Sequence, residues 1–142
     1  MSRSAPILLD TCALIWFVEG RLAGSVLEAL HHAAETGGIF VSPVSAWEIG
    51  LVSTRRRGRS TMEFLPDPQT WLSDVIARPE LREAPLTSSA ALAASYLPEP
   101  LHGDPADRLL IATAREMNAA LATGDEDILA YAEAGHVKVL PC

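Results

Sequence analysis

The chain has 142 residues, of which 49% are hydrophobic, so it is long enough for one domain with a sizeable core. Its 11 lysines and arginines against 18 aspartates and glutamates give a net charge of -7, which excludes a general electrostatic attraction to nucleic acid or to a membrane surface. Two cysteines, Cys12 and Cys142, are too few for a disulfide scaffold, and the four histidines show no zinc-binding spacing with them, so a reducing cytoplasm is expected.

The N-terminal segment is apolar over residues 6–18 but contains Asp10 in its middle. A charge there is unfavourable in a secretory signal, and no small-residue cleavage pattern follows at once. No uninterrupted apolar run approaches the roughly 18 residues that a membrane span requires. We therefore expect a cytoplasmic protein without a membrane partner.

In the first half of the chain, short apolar runs alternate with stretches of helical periodicity. The run Ile7–Leu9 ends at Asp10, which is typical of a buried strand with polar residues at its carboxyl end. Gly20 and Gly24 interrupt the chain, and a glycine pair closes the second helix. The predictions are strands at Ile7–Leu9 and Ile39–Val41 and helices over residues 13–18, 25–34 and 44–52, the last with Trp47, Glu48 and Leu51.

In the second half, residues 102–114 contain the clearest start of a helix. Asp104 is a good N-cap, Pro105 suits the first helical position, and Asp107 follows in the first turn. Asp67-Pro68 repeats this signal before a helix whose apolar side is expected to carry Trp71, Leu72, Val75 and Ile76. The predictions are helices over residues 68–77, 88–97, 105–118 and 128–134 and strands over residues 81–86, 119–123 and 137–140.

The alternation of strands and helices favours an α/β domain with a mainly parallel sheet of about four to five strands and helices on both faces. No internal repeat, low-complexity tract or long linker divides the sequence, so residues 1–142 are predicted to form a single domain. Functional groups of an open parallel sheet gather outside the carboxyl ends of its strands. Four acids are placed to meet there: Asp10, Glu48, Asp107 and Asp125.

Each of these acids also has a simpler explanation as part of a helix cap. Residues 45–48 and 123–126 match capping boxes, Asp10 could cap the helix after the first strand, and Asp107 follows an N-cap. Four carboxylates gathered in one crevice, however, repel one another and raise one another's pKa unless cations neutralise them. The four positions together therefore point to a cation site more strongly than any one of them does.

Oxygen ligands without His or Cys favour Mg²⁺ or Mn²⁺, which binds a few carboxylates, several waters and phosphate oxygens. The chemistry that this suits is phosphodiester hydrolysis. One ion lowers the pKa of a bound water to make a nucleophile, and a second, about 4 Å away, stabilises the leaving oxygen. Two such ions would also offset about four negative charges and ease the entry of a polyanion into an acidic protein.

Four segments together resemble the PIN domain family, and within it the single-domain bacterial VapC-type toxins. They are Leu8-Leu9-Asp10-Thr11, Ser45-Ala46-Trp47-Glu48-Ile49, Asp104-Pro105-Ala106-Asp107-Arg108-Leu109-Leu110-Ile111-Ala112 and Leu121-Ala122-Thr123-Gly124-Asp125-Glu126-Asp127. The similarity extends from Leu8 to the final strand, and the order and spacing of the segments are more specific than any one of them.

The resemblance implies a PIN-like three-layer α/β/α fold and a Mg²⁺- or Mn²⁺-dependent endoribonuclease, the toxin of a type II toxin–antitoxin system. It further implies an RNA substrate, a homodimer and inhibition by a VapB-type antitoxin. The family's catalytic and metal-binding acids correspond by position to Asp10, Glu48, Asp107 and Asp125. Accessory polar and acidic groups beside them are Thr11, Asp104, Thr123 and Asp127. Of these, Asp104 is interpreted as a cap and Asp127 as an acid on a helix surface.

The one basic cluster of the sequence is formed by Arg55, Arg56, Arg57 and Arg59. It could contact RNA or the antitoxin, because guanidinium groups match phosphate geometry, or it could be a solvated loop. Elsewhere we expect Arg108 to pair with a carboxylate, His102 to be an incidental loop residue and Cys12 to be a small buried hydrophobe. The three tryptophans are expected in the core or an interface rather than as platforms for bases: Trp16, Trp47 and Trp71.

Two other functions are compatible with the same residues. One is a non-enzymatic acidic α/β module in which the acids are caps and the partner is a protein. The other is a metal-dependent phosphatase with Asp10 as nucleophile, which is less favoured because Cys12 stands where a second aspartate is expected. A shift in melting temperature on adding Mg²⁺ separates the metal-binding enzymes from the binding module.

Overall fold

The computed structural model describes residues 5–54 and 63–142, in which five strands alternate with helices. The strands are β1 (Ile7–Leu9), β2 (Ile39–Val41), β3 (Leu81–Glu83), β4 (Ala120–Thr123) and β5 (Lys138–Pro141). The α-helices are α1 (Thr11–Val18), α2 (Gly24–Glu35), α3 (Pro43–Thr54), α4 (Pro68–Ile76), α5 (Ser88–Ala93), α6 (Pro105–Met117) and α7 (Glu126–Glu133). A short 3₁₀ helix, Ala94–Tyr96, follows α5. A single domain over residues 1–142 stays a prediction.

The five strands form one sheet in the order β3-β2-β1-β4-β5, and every neighbouring pair is parallel. In the central strand, Leu8 is in register with Phe40 of β2 and Leu121 of β4. The chain runs outward from β1 to β3 and then returns to build the other half of the sheet from β4. The strand order therefore reverses between β1 and β4, and a crevice at such a point is the usual binding position in an open α/β sheet.

Alternation along β1 divides the core into two layers. Ile7 and Leu9 pack on one face of the sheet with apolar residues of α1, α2 and α4, whereas Leu8 packs on the other face with α5, α6 and α7. Because successive residues of a strand point to opposite faces, three apolar residues in a row are required here. The predicted three-layer α/β/α arrangement with a parallel sheet is confirmed.

Aspartates cap four of the helices at their N-termini. The side chain of Asp10 accepts a hydrogen bond from the Ala13 N–H at 2.7 Å, and Asp104 accepts one from the Asp107 N–H at 3.1 Å. Asp67 and Asp125 do the same for α4 and α7. These bonds satisfy backbone donors that an N-terminus leaves unpaired, and they fix where each carboxylate lies. The cap predicted at Asp104 is confirmed.

Several predicted boundaries are wrong by a few residues. The first helix begins at Thr11 rather than residue 13, Gly24 is the first residue of α2, β3 ends at Glu83, and the alanine-rich helix changes to 3₁₀ geometry after Ala93. The capping box over residues 45–48 is also wrong, because α3 already begins at Pro43. Ser45 is instead a fully buried residue inside the helix.

Two of the predicted core positions are on the surface. Trp47 is 53% exposed and Ile76 is 42% exposed, so neither belongs to the core of this chain. An interface position for Trp47, the other expectation, stays a prediction. Trp16 and Trp71 do pack against the core beneath α1, α2 and α4, as predicted. Amphipathic periodicity locates the buried face of a helix only to within a turn, which is why residues at the edge of that face are misplaced.

Candidate active site

The four predicted acids line one cavity of about 330 Å³ at the carboxyl ends of β1 and β4. We call it the acid cavity; its lining is formed by Asp10, Thr11, Cys12, Trp16, Glu48, Asp104, Asp107, Leu110, Gly124 and Asp125. Asp10 directly follows β1, and Asp125 lies two residues after β4. The reversal of strand order between these two neighbouring strands opens the space into which both carboxylates project.

Asp10 is the most deeply buried of these acids, with 7% of its surface exposed. Burial raises the pKa of Asp10 above its ordinary value, and the nearby Asp125 adds to the rise. Hydrogen bonds from the Thr123 hydroxyl and from the Ala13 N–H oppose that rise. Asp10 is thus held by a side chain of the neighbouring strand and by the first turn of its own helix.

Glu48 reaches the acid cavity from the second turn of α3. The Thr11 hydroxyl donates a hydrogen bond of 2.5 Å to Glu48 Oε1, and Thr11 Oγ1 lies 3.0 Å from the hydroxyl of the buried Ser45. Burial raises the pKa of Glu48, and the charges of Asp104 and Asp10 add to the rise, whereas the Thr11 hydrogen bond lowers it. Thr11 therefore links two helices at the site and orients Glu48.

Asp107 lies in the first turn of α6. Burial raises the pKa of Asp107 to about 7, and the neighbouring Asp104 and Asp125 add to the rise. His102 acts in the opposite direction, because its Nε2 lies 3.5 Å from Asp107 Oδ2. Asp107 is thus the acid of the cavity whose ionisation the protein opposes most clearly near neutral pH.

The remaining acid of the four, Asp125, combines a structural contact with its place in the cavity. Its Oδ1 accepts hydrogen bonds from the N–H groups of Asp127 and Ile128 at 2.9 and 3.1 Å, and its own N–H donates to the Thr123 hydroxyl at 3.0 Å. The hydroxyl of the fully buried Thr123 connects Asp125 to Asp10, because it accepts the Asp125 N–H and donates to the Asp10 carboxylate. Asp125 is therefore the N-cap of α7, so the capping box predicted over residues 123–126 is wrong, and the same carboxylate lines the acid cavity.

The donors of the acid cavity fit a hard divalent cation. Three of the four acids, Asp10, Glu48 and Asp107, have raised pKa values because they are partly buried beside other carboxylates. Among the described residues that line the cavity there is no lysine or arginine to balance them. An oxygen-only set of this kind is the one that Mg²⁺ and Mn²⁺ prefer.

Comparison with known proteins agrees with this geometry. The PIN domain family model matches residues 7–134. The chain belongs to the PIN domain family. Ribonuclease VapC22 of Mycobacterium tuberculosis is 30% identical to it over 127 residues, which cover 88% of this chain and 91% of that protein. The resemblance to PIN domains of the VapC type is therefore confirmed.

Solved structures share the PIN fold at low sequence identity. The fold is similar to a chain of VapBC2 from Rickettsia felis bound to a promoter DNA fragment, with a TM-score of 0.67 and 15% identity, covering 96% of this chain and 98% of that chain. It is also similar to DNA-bound VapBC from Salmonella typhimurium, with a TM-score of 0.61 and 14% identity over 97% of this chain and 98% of that one. A third similar structure is FitAcB from Neisseria gonorrhoeae, with a TM-score of 0.56 and 17% identity, covering 94% of this chain and 96% of that chain.

His102 contacts an acid of the cavity, although the sequence favours an incidental loop residue there over one that touches substrate. Its Nε2 lies 3.5 Å from Asp107 Oδ2, and its Nδ1 accepts a hydrogen bond from the Asp104 N–H at 3.2 Å. His102, Asp125 and Asp127 also place one possible ligand atom each within 4.8 Å of one another. The sequence does indicate the contact with Asp107, because a residue two positions before an N-cap lies beside the first turn of the helix that the cap begins. Asp127 is exposed in the first turn of α7, as predicted for a surface acid.

Two other predictions for residues near the acid cavity have different outcomes. Arg108 does pair with a carboxylate, that of Glu99 at 3.6 Å, and this carboxylate is outside the four acids. Cys12 was expected to be buried, but it is exposed and lines the cavity. As the second residue of α1, it points away from the sheet, whereas Ala13 and Leu14 are fully buried.

The basic cluster, Arg55, Arg56, Arg57 and Arg59, lies outside the described residues. Its assignment to RNA or antitoxin contact stays a prediction. Over residues 5–54 and 63–142, none of the helices has the length and apolar character that crossing a membrane requires.

Proposed function

We propose that this PIN domain is a Mg²⁺- or Mn²⁺-dependent endoribonuclease that hydrolyses RNA phosphodiester bonds. The observation that carries the proposal is the convergence of four carboxylates, three of them with raised pKa, in a cavity whose described lining has no lysine or arginine. Such a site favours a divalent cation, and with it an anionic substrate. The similarity to a protein named as a ribonuclease supports RNA as that substrate.

The residues that would hold the ion are Asp10, Glu48, Asp107 and Asp125. A bound Mg²⁺ or Mn²⁺ supplies Lewis acidity toward the phosphodiester and acidifies the attacking water. The chain itself orients the ligands: Thr123 and the Ala13 N–H hold Asp10, and Thr11 holds Glu48. Such contacts fix the orientation of metal ligands in proteins.

The biological role that we propose is that of a toxin in a type II toxin–antitoxin system, with a VapB-type antitoxin as partner. The similarity to Ribonuclease VapC22 and the fold likeness to VapBC structures support it. A homodimer in the cytoplasm is the proposed state. The segment with Arg55, Arg56, Arg57 and Arg59 is the proposed contact for RNA or antitoxin, because it concentrates positive charge in an acidic chain.

The test is cleavage of single-stranded RNA by the purified chain with Mg²⁺, with Mn²⁺ and with EDTA. We expect cleavage only with the ions and its loss in Asp10→Asn and Asp107→Asn. The matched control is Asp74→Asn, which removes the same charge from an exposed position on α4. Cleavage that persists in EDTA, or in both site variants, would contradict the proposal. Absence of cleavage together with no Mg²⁺-dependent rise in melting temperature would instead fit the acidic binding module.

A further inference from the structure

A second cavity of about 410 Å³ opens beside the acid cavity, between α7 and the segment that leads into α6. His102 and Asp127 line it. His102 also contacts Asp107 of the acid cavity at 3.5 Å, and Asp127 lies two residues after Asp125. The second cavity therefore adjoins the proposed site of phosphodiester cleavage, and the His102–Asp107 pair lies between the two. Its volume is within the range of about 300–1,000 Å³ that small-molecule sites occupy.

The walls of this cavity are suited to a flat, weakly polar group. Leu101, Ala130 and Ala134 line it together with the rings of Tyr131 and His136, whose centroids are 4.8 Å apart with 41° between their planes. Tyr131 is only 4% exposed, and its hydroxyl donates a 2.7 Å hydrogen bond to the Pro98 carbonyl. Tyr131 therefore offers little surface of its own and holds in place the half-buried His136 ring, which is the ring available for stacking. Proteins bind unstacked bases of single-stranded RNA against aromatic and histidine rings of this kind.

The charges of the second cavity favour a base over a phosphate. No lysine or arginine is among the described residues that line it, and the exposed carboxylate of Asp127 is at its edge. Glu99 also lines it, but its carboxylate pairs with Arg108 and accepts the Leu101 N–H, so Asp127 is the acceptor open to a ligand. An ionised carboxylate only accepts hydrogen bonds, so it attracts amino groups and repels phosphates. A phosphate would thus remain at the acid cavity, where a cation can neutralise it, and the adjoining group would enter the second cavity.

We propose that the second cavity binds the nucleobase adjacent to the cleaved phosphodiester, with a preference for bases that carry an exocyclic amino group. Adenine, cytosine and guanine can donate such hydrogen bonds to Asp127, whereas uracil has carbonyl oxygens at the corresponding positions. This inference rests on the proposed function, because it takes RNA as the substrate of the neighbouring site.

Binding is tested first without metal or cleavage. The full chain is titrated in EDTA with adenosine, cytidine, guanosine and uridine, and backbone amide NMR shifts are followed. We expect shifts at Leu101, Ala130 and Ala134, with uridine binding weakest. Ala130→Phe fills the cavity from an exposed helical position and should weaken binding by about fivefold or more. Ala134→Phe gives a second, independent obstruction, and Ala91→Phe on α5 is the control for an exposed alanine outside the cavity.

The proposal is overturned if no nucleoside shifts the amide signals of Leu101, Ala130 and Ala134. It is also overturned if nucleosides bind the Ala130→Phe variant as tightly as the unmodified chain. Tighter binding of uridine than of the other three overturns the amino-group preference. The second arm is RNA cleavage with Mn²⁺, in which both phenylalanine variants should be slowed about tenfold or lose the base preference beside the cut. Nucleoside binding without cleavage by the unmodified chain contradicts the proposed function alone. Cleavage with unchanged rate and base preference in both variants contradicts this inference alone.

Discussion

The Thr11 hydroxyl donates a 2.5 Å hydrogen bond to Glu48 Oε1, so a residue at the start of α1 orients a carboxylate on α3. The hydroxyl of Thr11 has a single proton, and this bond uses it. The Ser45 hydroxyl, whose oxygen lies 3.0 Å from Thr11 Oγ1, therefore donates to Thr11. The three side chains form a directed chain that ends on Glu48. Thr11 is thus a positioning residue for a proposed metal ligand.

Thr11→Val removes this orientation and should weaken Mn²⁺ binding about 10- to 100-fold, as loss of a hydrogen bond to a metal ligand commonly does. Isothermal titration calorimetry or Mn²⁺ electron paramagnetic resonance measures the affinity. Thr11→Ser keeps the hydroxyl and should bind Mn²⁺ nearly as well as the unmodified chain. Equal affinity of the valine variant and the unmodified chain would show that Glu48 does not depend on Thr11.

Asp107→Asn should stabilise the metal-free protein at neutral pH. Burial and neighbouring acids raise the pKa of Asp107 to about 7 in the folded chain, from 3.8 for an unperturbed aspartate. The folded state thus binds this proton more tightly than the unfolded state, so stability decreases as pH rises from about 4 to about 7. Asparagine has no such proton, and we expect a gain in unfolding free energy of about 1–3 kcal/mol at pH 7.5 and little change at pH 4.

Saturating Mg²⁺ or Mn²⁺ should make the unmodified chain more stable than Asp107→Asn at pH 7.5. An ion present at about 100 times its dissociation constant stabilises the chain that binds it by about 2.7 kcal/mol, and the asparagine variant gains less because it lacks one ligand. Thermal unfolding at the two pH values, with EDTA and with metal, measures both effects, and Asp74→Asn is the charge-matched control. A variant less stable than the unmodified chain in EDTA at pH 7.5 would contradict the expectation.

The Cys12 thiol should react faster when Asp10 is neutralised. Partial burial in the wall of the acid cavity raises the pKa of the Cys12 thiol, and the negative charge of Asp10 raises it further. In a Cys142→Ser background, Asp10→Asn should therefore increase alkylation at pH 8 about two- to fivefold, because more thiolate is present. Mass spectrometry follows the reaction, with Asp74→Asn in the same background as control. An unchanged rate would place the thiol outside the electrostatic influence of Asp10.

Arg108→Lys should destabilise the segment that precedes α6. Its guanidinium donates hydrogen bonds to the carbonyls of Ala94 at 3.0 Å and His102 at 3.1 Å. Lysine cannot reproduce this fork, so we expect a loss of about 1–3 kcal/mol in urea unfolding. Arg21→Lys is the control, since the exposed pair that it forms with Glu19 at 3.2 Å is worth at most about 1 kcal/mol. Equal effects of the two changes would contradict the anchoring role.

The sequence predicts most of this fold because β1, β2 and β4 are apolar on both faces and several helices begin at strong caps. Asp67-Pro68 and Asp104-Pro105 place the starts of α4 and α6 correctly, since cap chemistry is local. The ends of β3 and α5 were misplaced because they depend on pairing and packing with distant segments. The exposure of Trp47 is likewise decided by what packs beside α3, which periodicity does not contain.

Part of the candidate site is likewise predictable from the sequence, and part of it is not. Asp10, Glu48, Asp107 and Asp125 were predicted because acids follow strand ends and helix starts, and the structure brings them into one cavity. Their metal-binding and catalytic roles stay proposals. The Ser45–Thr11–Glu48 chain was not predicted, because the helical start at Pro43 turns Ser45 into the core rather than into a cap. The contact of His102 with Asp107 was not predicted, because it is a side-chain relationship across a loop.

The position of β1 at the centre of the sheet has a consequence during synthesis. The first strand to leave the ribosome lacks one of its two neighbours until β4 has been made, near the other end of the sequence. Asp10 and Asp125, which face the same cavity, therefore emerge at well-separated times, because more than 100 residues lie between them. Because a domain generally folds as a unit, a partly translated chain has no complete acid site. The strand order therefore delays the proposed activity until β4 and Asp125 have been synthesised.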